Sequence, residues 1–403
     1  IMMLVVGLPI FYLEMAMGQF SSLGCLSVWK CTPIAKGLGF GMITMTFFVA
    51  TFYNVIIAYA LFYLFASFTK ELPWKTCDNY WNTPNCRVTK ASDNSVINDT
   101  FFNDTFVNDT SDTYDIASGT ASLSDNDTTS NGSFVAIRPS EEYFYNRVLD
   151  MSDGIDKLGE VKWDLTLCLL LAWLIVFLSL AKGIQSSGKV VYVTSTFPYF
   201  VLVALFIRGI TLEGAIDGIV FYMKPDPVKL LLPKVWQDAA VQVFFSLGCT
   251  FGTLHTLSSY NTWHQNSHNH SIIAKCLNFA ILFLNLVSGT QIRQMRSTSS
   301  VHVLRPGLAF IAYPEAIARM PLAPLWSILF FIMCTLCFCL KFTLFEAIIT
   351  GLVDEFEGSF KNLRKYKTLL TLILCVVCFL LGLPMVTQVT MSEGLENTRW
   401  QQT

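Results

Sequence analysis

The sequence predicts an all-α polytopic membrane protein with about eight transmembrane helices, and three observations carry that reading. Hydrophobic residues fill 53% of 403 positions and charged residues only 14%, whereas soluble domains carry about 25% charged residues. The apolar residues come in long runs, not at amphipathic spacing, and about 20 such residues are what a helix needs to cross the hydrocarbon core. One polar stretch, residues 69–163, divides the second run from the third and is rich in Asp, Asn, Ser and Thr. A net charge of −2 without a basic block leaves no cationic footprint for nucleic acid, which excludes that class of partner. Lipid is the partner that this composition implies.

The apolar runs lie at residues 1–17, 38–68, 165–181, 190–210, 239–259, 272–289, 322–351 and 369–386. The first opens at residue 1 without a charged flank and contains Glu14, unlike a cleavable secretory signal. The chain is therefore expected to start inside a membrane helix, with its natural N-terminus further upstream. Four regions follow. Residues 1–68 hold two membrane helices, 69–163 form a large outside loop, 164–388 hold six membrane helices with short connections, and 389–403 form a polar tail.

The outside loop carries five glycosylation sequons, at Asn98, Asn103, Asn108, Asn126 and Asn131. Together they place it on the lumenal or extracellular side. Cys77 and Cys86, just beyond a helix end marked by Pro73-Trp74, are expected to form a short disulfide there. Segments 18–36, 182–189, 260–275 and 354–367 then face the cytoplasm, and the last holds Lys361, Arg364, Lys365 and Lys367, as the positive-inside bias asks. The outer loop after the sixth run carries Arg293, Arg296, Arg305 and Arg319, so the sequons and not charge counting fix the orientation.

Most of the twelve cysteines sit within apolar runs. The pairs Cys334 with Cys337 and Cys375 with Cys378 have no histidine beside them and read as small buried hydrophobes, not zinc ligands. His264, His268 and His270 read as a cytoplasmic surface cluster. No nucleophile elbow, phosphate loop or His-Glu-x-x-His occurs, which argues against an enzyme.

Polar or helix-breaking residues inside apolar runs are costly and therefore mark candidate sites. Glu14 interrupts the first run and must be protonated, paired or facing water. Tyr53 and Asn54 interrupt the second, Asn278 the sixth and Lys341 the seventh. The fifth run reads Gln242-Val243-Phe244-Phe245-Ser246-Leu247-Gly248-Cys249-Thr250-Phe251-Gly252-Thr253. Its two glycines admit two readings. One is a helix that unwinds at mid-membrane and frees backbone groups for ions and ligands; the other is close small-residue packing.

At these residues the chain resembles the neurotransmitter:sodium symporter family. The matching stretches are Gly7-Leu8-Pro9-Ile10-Phe11-Tyr12-Leu13-Glu14 with Gly18-Gln19-Phe20, Phe52-Tyr53-Asn54, Glu71-Leu72-Pro73-Trp74 with Cys77 and Cys86, and Ser187-Gly188-Lys189. They continue, in the family's order, through Gly214-Ala215-Ile216-Asp217-Gly218, Phe244-Phe245-Ser246-Leu247-Gly248, Ser259-Tyr260-Asn261, Tyr313-Pro314-Glu315-Ala316, and Ile349-Thr350-Gly351 with Asp354-Glu355-Phe356. The resemblance implies a partial inverted-repeat transporter fold containing the family's second to ninth spans, with the first span and the tenth to twelfth absent.

The resemblance also implies roles. Substrate contacts fall on Val49, Ala50, Tyr53, Phe245, Gly248 and Phe251. Sodium ligands fall on Ser246 and Asn278, and a chloride shell on Tyr12, Gln242, Ser246 and Asn278. Tyr260 and Asp354 resemble members of the cytoplasmic gate. The implied activity is sodium- and chloride-coupled symport of a small amino acid or amine across the plasma membrane. The stretch from Thr256 to Asn266 is more similar to the glycine and proline branch than to the amine branch.

Three departures stand against this pattern. Where the family places two oxygen-bearing side chains for a second sodium, the register gives Cys339 and Leu340, followed by Lys341; thiol and alkyl groups are poor partners for a hard cation. The seventh family span loses its outer half after Gly289. A family serine is replaced by Leu282, with Asn285 nearby. The chain as it stands is therefore expected not to catalyse sodium-coupled uptake. The alternative is a truncated, non-transporting family member that interacts with a full-length transporter, as a hetero-oligomer.

Overall fold

The computed structural model describes residues 2–88, 137–150, 161–181, 196–207, 220, 224, 229–269, 271–272, 310–311, 313–320, 322–339, 342–356 and 366–387. Among the described residues the regular secondary structure is helical, apart from two isolated β-bridges. Four of their helices are long and apolar enough to cross a membrane. Asn278, Leu340, Lys341 and all five sequon asparagines lie outside the described residues.

A π-turn at Met3–Gly7 leads into α1 (Leu8–Ser21), which continues beyond the expected run end, so residues 18–21 are helix and not loop. The central element is α2 (Lys36–Ala66), 31 residues long. At about 1.5 Å per residue it measures roughly 46 Å, longer than the hydrocarbon core, so it tilts or protrudes. Residues 54–61 of α2 are buried without interruption, the signature of a helix surrounded on every side. Helix α3 (Pro139–Glu142) is a short turn in the polar stretch 69–163, and α4 (Trp163–Ala181) packs along α2.

Helix α4 shows how the sequence sorts its faces. Leu165, Leu169, Ala172, Trp173, Val176 and Leu180 recur at helical spacing and are buried. Leu167, Leu170, Leu174 and Leu178 are at least half exposed on the other side. An apolar outward stripe of this kind suits lipid and would be a liability in water.

The fifth described helix, α5, spans Thr196–Ile207. Helix α6 (Pro233–Leu247) and α7 (Thr253–Ser258) divide the run expected at 239–259, and α8 is Tyr313–Ala318. Within the run expected at 322–351 the described residues form α9 (Ala323–Cys339) and α10 (Phe342–Phe356), and residues 340–341 between them lie outside the described residues. Helix α11 (Lys367–Gly382) closes the described bundle against α2 and α4.

The ends of the polar stretch 69–163 are pinned. A disulfide joins Cys77 to Cys86, as expected. Next to it, Arg87 donates to the Ile137 carbonyl at 3.0 Å and Ile137 donates to Asn85 at 3.1 Å. Buried Glu142 accepts from Asn82, from the Thr83 amide and from the Thr83 hydroxyl. Arg138 reaches Glu315 with one nitrogen at 3.2 and 3.1 Å from its two oxygens. Beneath lies an aromatic cluster of Tyr63, Trp74, Phe144, Phe310 and Phe331, all fully buried. Its polar tips are satisfied: the Tyr63 hydroxyl donates to the Phe310 carbonyl and Trp74 Nε1 to the Pro314 carbonyl, as buried aromatic hydroxyl and indole groups require.

Candidate functional site

The helix break that the fifth run allowed is present. Gly248 ends α6 at φ +66°, and Gly252 caps α7 at φ +73°. Between them Thr250 also has positive φ, +70°. Left-handed backbone is natural for glycine and costs other residues roughly 1–2 kcal/mol each. The two glycines therefore serve unwinding first. Gly252 serves close packing as well, because a Cβ there would lie 2.6 Å from Cys25 Cβ.

Side chains from neighbouring helices take up the backbone groups that the turn releases. Glu14 of α1, buried, accepts from the Thr250 amide at 2.7 Å. Thr46 of α2 donates to the Phe251 carbonyl at 2.7 Å. Thr256 donates to the Gly252 carbonyl at 3.0 Å. Helix α1 reaches the turn because Gly18 has no side chain: a Cβ there would meet Ser258 Oγ at 2.0 Å and the His255 carbonyl at 2.3 Å.

The expected substrate residues gather at this break. The Tyr53 ring stacks on Phe245 with centroids 6.0 Å apart, and Phe245 meets Phe251 edge-on at 6.2 Å. Val49 and Ala50 lie one turn earlier on α2, and Ala50 is buried. Phe251 is a buried wall while Phe245 is 42% exposed, so one side of the aromatic group is fixed and the other open. A left-handed glycine turn beside aromatic side chains is an arrangement from which midplane ligand sites are built.

The expected ion ligands are less closely drawn together. Ser246 and Gln242 are both exposed on α6, and the Ser246 hydroxyl reaches the Val243 carbonyl only at 3.4 Å. Tyr12 stands edge-on to His268 at 5.6 Å.

The two expected gate residues come together at α10, where Asp354 lies on the helix and Tyr260 reaches it. The Tyr260 hydroxyl lies 3.0 Å from Thr350 Oγ1, and burial pushes its phenol above the ordinary range. Asp354 accepts from the Gly24 amide at 3.0 Å. Thr350 donates to Glu346 at 3.2 Å, and Lys367 of α11 donates to the same oxygen at 2.6 Å. One helical turn on, Glu355 binds Lys36, Ser27 and Lys30. The α1–α2 connection, the start of α2, α10 and α11 are thus tied together here.

Reading the sequence missed three of these residues. Glu346 and Lys367 carried a signal, an acid within an apolar run and a cation at the start of the next, but not their pairing. His255 lies in the fifth run and is 2% exposed, with Nδ1 3.6 Å from Glu14 Oε2. An imidazole inside an apolar run was visible in the sequence; its partner was not.

Comparison with known proteins gives one consistent result. The model of the sodium:neurotransmitter symporter family matches residues 1–393. Sodium- and chloride-dependent glycine transporter 2 of Xenopus laevis is 44% identical over 394 residues, covering 96% of this chain and 49% of that protein. Sodium- and chloride-dependent glycine transporter 1 of the same organism is 43% identical over 395 residues, covering 96% of this chain and 59% of that protein. The chain therefore spans only about half to three-fifths of these relatives' lengths. The crystal structure of MhsT in complex with L-phenylalanine aligns with a TM-score of 0.67 at 19% identity, covering 95% of this chain and 70% of that one. At that identity it speaks for the fold alone.

Proposed function

The chain belongs to the sodium:neurotransmitter symporter family, and we propose that it couples sodium and chloride to the movement of a small amino acid, glycine first among candidates, across the plasma membrane. The observation that carries this reading is the left-handed turn at Gly248–Gly252 set against Tyr53, Phe245 and Phe251. In it the turn's backbone takes the charged groups of the substrate, and Val49, Ala50 and the three rings take its apolar surface. The similarity to two glycine transporters supports glycine as that substrate.

Ser246 and Asn278 bind the coupling sodium through oxygen, and Tyr12, Gln242, Ser246 and Asn278 share the chloride. A chloride beside sodium offsets its charge in a low-dielectric site. Tyr260 and Asp354 act in the cytoplasmic gate, where Asp354 is held by the Gly24 amide. The loop bearing Asn98, Asn103, Asn108, Asn126 and Asn131 is glycosylated and outside.

Cys339, Leu340 and Lys341 favour a second reading. They give sodium no oxygen donor where a second ion is expected, and Lys341 brings its own positive charge. On that reading the protein does not transport, and associates with a family member that does. Uptake of radiolabelled glycine, proline and a biogenic amine into vesicles separates the two. Saturable glycine uptake that needs sodium and chloride supports the first reading and overturns the expectation, drawn from Cys339, Leu340 and Lys341, that the chain as it stands does not catalyse coupled uptake. No uptake, with co-purification of a co-expressed glycine transporter, favours the second reading and sinks the first.

A further inference from the structure

We infer that His255 is a positioning residue for the substrate turn, acting through Glu14; this rests on the reading of Gly248–Gly252 as the substrate site. Glu14 is the one carboxylate that reaches the turn among the described residues, and its Oε1 is occupied by the Thr250 amide. Its Oε2 is buried and has no hydrogen-bond partner, and neither ring nitrogen of His255 has one. These three orphaned atoms belong to two side chains that face each other, with Nδ1 3.6 Å from Oε2 and both side chains less than a tenth exposed.

A buried carboxylate without a counter-group is strongly unfavourable, and so is a buried imidazole that meets only carbon. The pair relieves the carboxylate and one of the two ring nitrogens when His255 carries its Nδ1 hydrogen toward Glu14. The backbone sets this meeting. Gly18 lets α1 lie against the His255 carbonyl and Cα, so Glu14 and His255 face each other across the tightest helix contact near the site. Thr250 lies within the break and His255 on α7 just beyond it, and Glu14 bridges them. His255 thus fixes the direction of the carboxylate that shapes the turn.

Cys249, fully buried within the turn, reports on its integrity. The full chain in detergent is treated with N-ethylmaleimide without substrate, and labelling at Cys249 is read by peptide mass spectrometry for wild type, Glu14→Gln, His255→Leu and the double variant. Glutamine at 14 still accepts from the Thr250 amide but carries no charge. His255→Leu is expected to speed labelling about tenfold or more, the scale of a lost interaction with a charged group. The double variant is expected to label no faster than Glu14→Gln alone, because the need for His255 has gone with the charge. A His255→Leu rate within about twofold of wild type, or a double variant showing the product of the two single effects, overturns the inference. Should His255→Leu aggregate, a monodisperse double variant supports the inference and an aggregated one overturns it. Glycine is added to wild type in a parallel arm. Its failure to slow labelling counts against the substrate reading alone, since the coupling of Glu14 to His255 is measured without it.

Discussion

Gly248 and Gly252 differ in a way that substitution by alanine should expose. Both have left-handed backbone, so alanine costs roughly 1–2 kcal/mol at either position. At Gly248 the nearest atom to a new methyl is Thr253 Oγ1 at 3.7 Å, ordinary contact. At Gly252 the methyl would lie 2.6 Å from Cys25 Cβ and 2.9 Å from its sulfur. Cys25 is itself fully buried and cannot swing away. Overpacking adds about 1–3 kcal/mol, giving about 2–5 kcal/mol in all for Gly252→Ala. The apparent thermal midpoint of the purified protein, followed by tryptophan fluorescence in detergent, should therefore fall further for Gly252→Ala than for Gly248→Ala. Glycine binding should order the two differently: Gly248→Ala loses binding while it keeps most of its stability. Equal midpoints, or a larger drop for Gly248→Ala, would refute the packing argument.

Removing Lys367 as Lys367→Gln leaves Glu346, 4% exposed, without its cation, and should destabilise the protein by about 3–5 kcal/mol, whereas Lys367→Arg should keep most of the stability. Thermal midpoints of the two variants check this. The Lys36 ammonium, aided by Ser27 and Lys30, holds the Glu355 carboxyl below its ordinary 4.5 against the opposing effect of burial. A depressed folded value means that the tie stabilises the protein above 4.5 and that this contribution is lost as pH falls through the folded value. Glu355→Gln should therefore lower the midpoint at pH 7 and narrow the gap between variant and wild type under acid, and an unchanged gap would count against the tie. The chain made in cells should lose mass on glycosidase treatment, and Cys77→Ser should weaken the loop's anchorage by about 2–3 kcal/mol, read as faster protease cleavage between residues 69 and 163. Absence of a glycan shift would sink the proposed sidedness.

Much of this fold was legible because membrane burial writes itself as long apolar runs. Residues 38–68 and 165–181 gave α2 and α4 nearly to their ends. The ends of α1 were not legible, because hydropathy records immersion in lipid and not backbone hydrogen bonding. The spacing of Gly248 and Gly252 left unwinding and packing open, and only the backbone angles decide that unwinding leads. Tyr53, Phe245 and Phe251 were each marked by resemblance, yet their meeting depends on how α2 and α6 cross, which no local pattern specifies. Pairings such as Glu14 with His255 and Glu346 with Lys367 join residues far apart in the chain. Each half shows as an anomaly in an apolar run, and the match appears only in three dimensions.

Equilibrium binding of tritiated glycine to the purified full chain, titrated with sodium at constant ionic strength and fixed chloride, tests the central claim most directly. The account predicts saturable binding that requires sodium, with a sodium Hill coefficient near one, since Ser246 offers a site and Cys339, Leu340 and Lys341 do not. It also predicts that Tyr53→Phe and Phe251→Ala each weaken binding while leaving the size-exclusion profile unchanged. Glycine binding that ignores sodium, or no saturable binding in a protein that elutes as a single species, would contradict it.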